Sequence, residues 1–426
     1  MISRYPDSRS SSSSEKLDLS PAVLISEELV EVKLFSIDDY PVDVSDAAAQ
    51  MDREKSNKEW RDIWMSAFES DSDANIFQHP DFVIAQSEGF KNKPLLMVVA
   101  EASDGRRKLA ILAPIEVPQK CFFDFIPVSI FNGYRLAGNR FLGESVENDP
   151  LDSYILGEFT NILQRYTADF MLIEDLEENH SLWEACKYNL PRDLFFFLPE
   201  HTQKKHRIKL PKDANEYSSS LSSSAHREFR RKHKRSKGVR IQKCTKASEV
   251  DDFLIYANQI SANSWQSKVF GLRVKNDDAE RTLLKTVANL GYLRCYLMFS
   301  NDIPIAFEIA YQLRGYVYGA EAGYDQNYSN ISPGYLLLYL EIEDLVSDDE
   351  LKWYDFGKGD APFKERFSNV ATKSADVWVI RHSKKNALRI AIFKANEKIE
   401  RFLHVCLEKS GLKTRIRQLY RKFSVN

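Results

Sequence analysis

The stretch Gly315-Tyr-Val-Tyr-Gly-Ala-Glu-Ala-Gly-Tyr-Asp-Gln-Asn-Tyr-Ser-Asn-Ile-Ser-Pro-Gly334 decides the fold. Its first part reads as a strand over 314–321. Its last part, Ser332-Pro333-Gly334, opens a helix, because proline is tolerated at a first helical position and the apolar run to residue 346 continues at helical length. A short strand, Trp353 to Phe356, follows and runs into Gly357-Lys358-Gly359-Asp360. Strand, helix, strand in that order fits a crossover that returns the second strand to the same sheet.

Working outward, strands are expected at 293–299 and 303–311, joined at Asn301-Asp302, after helices at 247–264 and 277–290. An earlier unit has a similar order. It has a strand from Val30 to Phe35, a helix around Ser45 to Phe68, and a helix led by Pro80. Strands at 94–102 and 108–118 meet at Ser103-Asp104-Gly105, residues 133–150 read as loop, and a helix at 154–165 precedes a strand at 169–174. The expected fold class is therefore α/β, with two mixed sheets flanked by helices. The expected division is a disordered N-terminus at 1–25, a first domain at 26–205, a basic helical connector at 206–245, a second domain at 246–383 and a basic amphipathic helical tail at 384–426.

The 426 residues are 43% hydrophobic and 28% charged, ordinary for a globular chain with a sizeable core. The net charge is only -3, but 227–243 holds nine Lys or Arg against one Glu, and 381–426 thirteen against three. Such patches suit anionic ligands. The first patch lacks interleaved aromatics, which argues against nucleic-acid binding. Five widely spaced cysteines favour neither a disulfide framework nor a zinc site, and no metal is expected. No apolar leader or spanning segment is visible, which points to the cytoplasm. The tail, with Ile390, Phe393 and Phe402 beside Lys394, Lys398 and Arg401, is expected either to lie on an anionic membrane or to pack on the second domain.

Together with Tyr354-Asp-Phe-Gly-Lys-Gly-Asp-Ala-Pro-Phe-Lys364, the opening stretch resembles the GNAT-like acyltransferases of bacterial exopolysaccharide and cellulose gene clusters (CelD-like), related in fold to Fem-type aminoacyltransferases. The family's Tyr-Asp pair falls on Tyr324-Asp325, its Ser-Pro-Gly on Ser332 to Gly334, and its Phe-Gly-x-Gly-Asp on Phe356 to Asp360. Its Tyr-Lys falls on Phe363-Lys364, where the tyrosine hydroxyl is missing. Its basic helix falls on Arg227, Arg230, Arg231 and Arg235. The resemblance runs from about 60 to 380 and is looser in the first unit, at 136–139 and Asp149.

It implies acyl transfer from an acyl-CoA such as acetyl-CoA, a co-substrate and not a tightly bound cofactor, to a sugar or polysaccharide precursor. The alternatives are a Fem-like aminoacyl transfer, an inactive scaffold in a polysaccharide-synthesis complex, or a nucleic-acid-binding protein. The usual Gln/Arg-x-x-Gly-x-Gly/Ala pyrophosphate stretch is absent, and Ser332 to Gly334 stands in its place. Asp360 is the leading catalytic candidate, with Glu308, Glu321, Tyr324 and Lys364 beside it. Ser332, Gly334, Arg231 and Arg235 would hold the donor, and Asp325, Phe363 and Tyr354 would contact the acceptor.

Overall fold

The computed structural model describes residues 30–37, 47–87, 94–121, 126–144, 149–199, 201–213, 238–264 and 273–409, with isolated positions at 146, 216–217, 219, 223, 227, 231 and 267. The expected disordered N-terminus, the end of the tail, and Arg230, Lys234 and Arg235 lie outside the described residues.

The first half opens with β1 (Val30–Ile37), α1 (Ala47–Ser70) and α2 (Pro80–Ser87). Then come β2 (Leu95–Ala102), β3 (Arg107–Cys121), β4 (Ile126–Leu136), α3 (Pro150–Arg165), β5 (Phe170–Glu177), α4 (Ser181–Tyr188), β6 (Leu194–Phe197) and β7 (Gln203–Lys209). The second half repeats the plan: β8 (Val239–Cys244), α5 (Val250–Ala262), α6 (Asp278–Asn289), β9 (Cys295–Ser300), β10 (Ile303–Leu313), β11 (Tyr316–Tyr324), α7 (Pro333–Val346), β12 (Trp353–Asp355), α8 (Pro362–Phe367) and β13 (Val370–Arg381). A final helix, α9 (Lys384–Lys409), follows.

The strands form one continuous mixed sheet in the order β1-β2-β3-β4-β5-β13-β7-β12-β11-β10-β9-β8, with β6 also paired to β13. Within each half the first four strands are antiparallel, and a helical crossover brings the fifth in parallel, β5 beside β4 and β12 beside β11. The two halves then exchange a strand. The last strand of the chain, β13, pairs with β5 of the first half, and β7 pairs with β12 of the second. β7 and β13 pair with each other, so the seam between the halves is itself hydrogen-bonded sheet.

Packing explains the layers. On one face Trp60, Trp64 and Phe68 of α1, Phe253 and Leu254 of α5 and Leu284 of α6 share a single buried cluster with both halves of the sheet. On the other face each half has its own helix. α3 covers β2, β3 and β5 through Leu156, Phe159 and Leu163, and α7 covers β9 to β12 through Leu336, Ile342 and Leu345. Strands such as β2 are therefore buried on both faces, and their sequence is a continuous apolar run and not an alternation.

Two expectations change. Residues 126–136 form a strand, although residues 133–150 read as loop. A Cβ at Gly133 would lie 2.5 Å from the Phe170 carbonyl oxygen, so this glycine serves the close approach of β5. The described start of the tail packs on the first half, not the second. Ile390 joins Phe131, Phe170 and Leu172, Arg389 donates to Asp169 at 2.7 Å, and Phe393 meets Phe197 edge-on. No helix among the described residues is long and apolar enough to cross a membrane.

Candidate active site

The site begins where two parallel strands part. β12 pairs with β11 only over Tyr316↔Trp353, Val317↔Tyr354 and Tyr318↔Asp355, yet β11 runs on to Tyr324. Beyond Asp355 the chain swings away through Gly357, whose φ of 67 favours glycine. The gap is a cleft of about 580 Å³, lined by β11 beyond its pairing with β12, the start of α7 and the Phe356–Lys364 turn.

A bulge in β11 opens this wedge to both faces of the sheet. Ile309 pairs with Glu321 but Ala310 pairs with Gly319, which leaves Ala320 as the extra residue. Glu308, opposite Ala322, points with Ala306 and Ala310 toward α7, while Glu321 shares the face of Ile309, toward α5 and α6. Gly319 sits at the apex. A Cβ there would come 2.8 Å from the Tyr354 hydroxyl and 2.9 Å from Glu308 Oε1.

The two faces differ electrostatically. On the α7 side Glu308 is buried, and the Tyr354 hydroxyl donates to it. Burial raises its carboxyl above the usual range, against the hydrogen bonds from Tyr354 and the neighbouring Glu341. Glu341, wholly buried on α7, is raised much further by burial and by Glu308. On the other side Glu321 is open to the cleft, yet the protein packed around it raises its carboxyl. Glu280 of α6 is raised by burial and by Glu321, so the two carboxylates sense each other.

The N-terminus of α7 completes the site. Ser332 has a left-handed backbone (φ 55) and makes no side-chain cap, and Pro333 follows as the first helical residue. Helix N-terminal N–H groups without a capping side chain attract anions. A Cβ at Gly334 would lie 3.3 Å from the Tyr324 ring, so glycine there lets Tyr324 rest against the helix start.

Glu308, Glu321, Tyr324, Ser332, Gly334, Tyr354, Phe363 and Lys364, all singled out from the sequence, come together on the cleft walls. Other candidates do not. Asp360 is half exposed, outside the cleft wall, with its Oδ1 2.8 Å from Nε2 of the buried His206, whose Nδ1 is 3.0 Å from Ser368 Oγ. Gly357 shapes the cleft wall, while Gly359, next to Asp360, belongs to the outer part of the turn. Asp325 accepts from the Asn327 backbone N–H and from the Asn263 amide, which makes it the cap of a short 3-10 turn. Lys364 lines the cleft, but its ammonium donates to the Gly357 and Lys358 carbonyls and so ties the turn together. Arg231 is an exposed helical residue away from the cleft wall. Sequence reasoning missed Gly319 and Glu341. A glutamate inside the apolar run Leu336–Leu340 to Ile342 was the available signal for Glu341.

Comparison with known proteins agrees with this geometry. Residues 223–365 match the family model described as an acetyltransferase (GNAT) domain. The crystal structure of FemX superposes with a TM-score of 0.55 at 10% identity, covering 78% of this chain and 98% of its own, which is a likeness of fold. The C-terminal domain of a putative lysylphosphatidylglycerol synthetase from Agrobacterium fabrum matches at 0.48 and 10% identity, over 79% of this chain and 96% of its own. A tandem GNAT protein from the clavulanic acid biosynthesis pathway matches at 0.45 and 10%, over 83% and 98%. No curated protein matches the chain. The second half of this chain is thus similar to a GNAT acetyltransferase domain, within a fold like that of FemX, and this similarity supports acyl transfer as the reaction class.

Proposed function

We propose that the protein transfers an acyl group from an acyl-CoA thioester to an amine or hydroxyl of a sugar or polysaccharide precursor, in the manner of the CelD-like acyltransferases its motifs resemble. The observation that carries this reading is the wedge between β11 and β12, which passes through the sheet and has an uncapped helix start on one side and an open carboxylate on the other. In this reading backbone N–H groups of β11 in the cleft wall meet the thioester carbonyl as charge develops on its oxygen. The start of α7 suits the donor's phosphates. No free arginine or lysine is needed at that point, because the helix terminus supplies the positive end.

Glu321 is the base in this reading. Its carboxyl is raised by its surroundings toward the working pH, and it is open to the acceptor. Tyr324, beside Gly334, is the proton donor to the departing thiolate. Phe363, exposed at the mouth, supplies apolar contact where the family's tyrosine would supply a hydroxyl. The acceptor class rests on the resemblance alone.

A mass-spectrometric screen of acyl-CoA thioesters against the full chain, followed by thiol-release turnover with candidate amino sugars, tests the reading. Glu321→Gln keeps the shape and is expected to lower turnover by ~10²-fold, the usual loss for an acid–base group. Failure of every thioester to bind would leave the fold standing as a scaffold without this activity.

A further inference from the structure

Beneath the cleft lies a buried polar group that the reaction as drawn does not use. Glu341 is 0% exposed in the middle of α7, and neither of its carboxylate oxygens meets an N–H or O–H donor among the described residues. A lone ionised carboxylate in such a place would be very costly. Among the described residues, the polar groups that act on it are otherwise engaged. From β9, Arg294 donates to the Tyr296 hydroxyl at 2.7 Å and to Asp344 at 2.8 Å, and Tyr296 donates to Asp344 at 2.8 Å. From β12, the Tyr354 hydroxyl is turned to Glu308. From β10, Glu308 itself lies within hydrogen-bonding reach of Glu341. Two carboxyl groups in contact with no shared cation cannot both ionise, and one proton between them satisfies both.

We propose that Glu341 is a positioning residue of this site: it carries the one proton of a Glu308–Glu341 pair, and through Glu308 it holds the Tyr354 hydroxyl with its hydrogen turned inward, so that the cleft floor presents a hydrogen-bond acceptor to the N–H or O–H group of a bound ligand. The chain of contacts is direct. Glu341 donates to Glu308, Glu308 accepts from Tyr354, and the Tyr354 oxygen lines the cleft beside Gly319. Burial and Glu308 both raise the Glu341 carboxyl, in the direction its holding the proton requires. The functional part of this assignment rests on the acyl-transfer reading of the cleft, and the shared proton does not.

Two readouts on the full-length protein separate those parts. Infrared difference spectra of wild type against E341Q at neutral pH are expected to show the carbonyl band of a protonated carboxylic acid in the wild type, lost in the variant. Absence of the band from the wild type overturns the shared proton, whatever the activity. In turnover with the best thioester found, E341L is expected to lose roughly 10-fold to 100-fold in kcat/KM, the range for a hydrogen bond to a charged group. E341Q, whose amide still donates to Glu308, is expected to recover most of that loss and to lack the fall at alkaline pH that deprotonation of Glu341 gives the wild type. Equal kcat/KM for wild type and E341L, or an E341Q profile with the same alkaline fall, overturns the positioning role. Should E341L not fold, the E341Q profile and infrared band decide. A wild type that binds no thioester removes the acyl-transfer reading but leaves the infrared result to stand by itself.

Discussion

The two halves follow one plan and differ at one place. In each, four antiparallel strands lead through a proline-started helix to a parallel fifth strand. In the first half β4 pairs with β5 over Gly133 to Arg135 and ends one residue later, so it does not run on beyond that pairing as β11 does. In the second half β11 pairs over Tyr316 to Tyr318 and runs on to Tyr324. The helix starts differ in the same sense. Asp149 caps α3 by accepting from the Leu151 N–H at 3.1 Å, and Lys108 bridges Asp149 at 3.1 Å and Asp152 at 2.7 Å. A cavity of about 340 Å³ lies there too, but its anion site is filled by the chain's own carboxylate. α7 starts without a side-chain cap. The first half's helix start is capped by the chain's own carboxylate and the second's has no side-chain cap, a difference that favours an anionic ligand at the second.

The comparison can be broken most forcefully in the sealed half. Lys108→Met leaves Asp152 buried without its cation and Asp149 with Arg106 at 3.5 Å in its place, and the expected cost is about 3–5 kcal/mol by denaturant unfolding. Thioester binding by the protein that remains folded should persist. Loss of binding at unchanged stability would show that the first half takes part in the chemistry.

At the apex of the open half, Gly319→Val drives a branched side chain into the Tyr354 hydroxyl and Glu308. The expected destabilisation is about 1–3 kcal/mol, with turnover lost by more than the stability change explains. Turnover kept at the wild-type level would place the chemistry elsewhere.

A smaller effect sharpens the same contrast through pH. Glu341 has a folded-state carboxyl well above its unfolded value, because burial and Glu308 disfavour its charge. Its stability contribution is therefore fully present below the ordinary glutamate range and is lost as pH rises toward the raised folded value. E341Q has no such proton to keep. It should match wild type near pH ~4 and gain in relative Tm as pH rises above that. A gap that stays constant with pH would contradict the buried proton.

How far the sequence carried this account can be judged at particular residues. The helix at 333–346 and the turn at Asn301-Asp302 were legible because proline, positive-φ residues and apolar periodicity are local signals. The repeated order of elements was also legible, as pattern without identity. The strand exchange was not, because pairing of β13 with β5 and of β7 with β12 is a long-range choice that no local propensity encodes. Glu308 and Glu321 stood out as charges within apolar strands, and both reach the cleft. Their separation onto opposite faces depends on the Ala320 bulge, which leaves no composition signal of its own. Asp360 drew attention because glycines flank it, but flexible turns also occur at surfaces, and its partner His206 comes from a strand more than a hundred residues away.

The smallest expected effect follows from that correction. Asp360→Asn removes a half-exposed charge beside His206, and such pairs are worth under about 1 kcal/mol. Turnover should stay within a few-fold of wild type, and a loss near ~10²-fold would return Asp360 to the catalytic group.

The account's central claim is that a ligand enters the open wedge and not its sealed counterpart. The most direct measurement is a crystal structure of the full chain with a non-hydrolysable acyl-CoA analogue. The account predicts density between β11 and β12, with the phosphates at Ser332 to Gly334 and the acyl end beside Gly319. Density at the Lys108–Asp149 cavity of the first half, with the wedge empty, would contradict it.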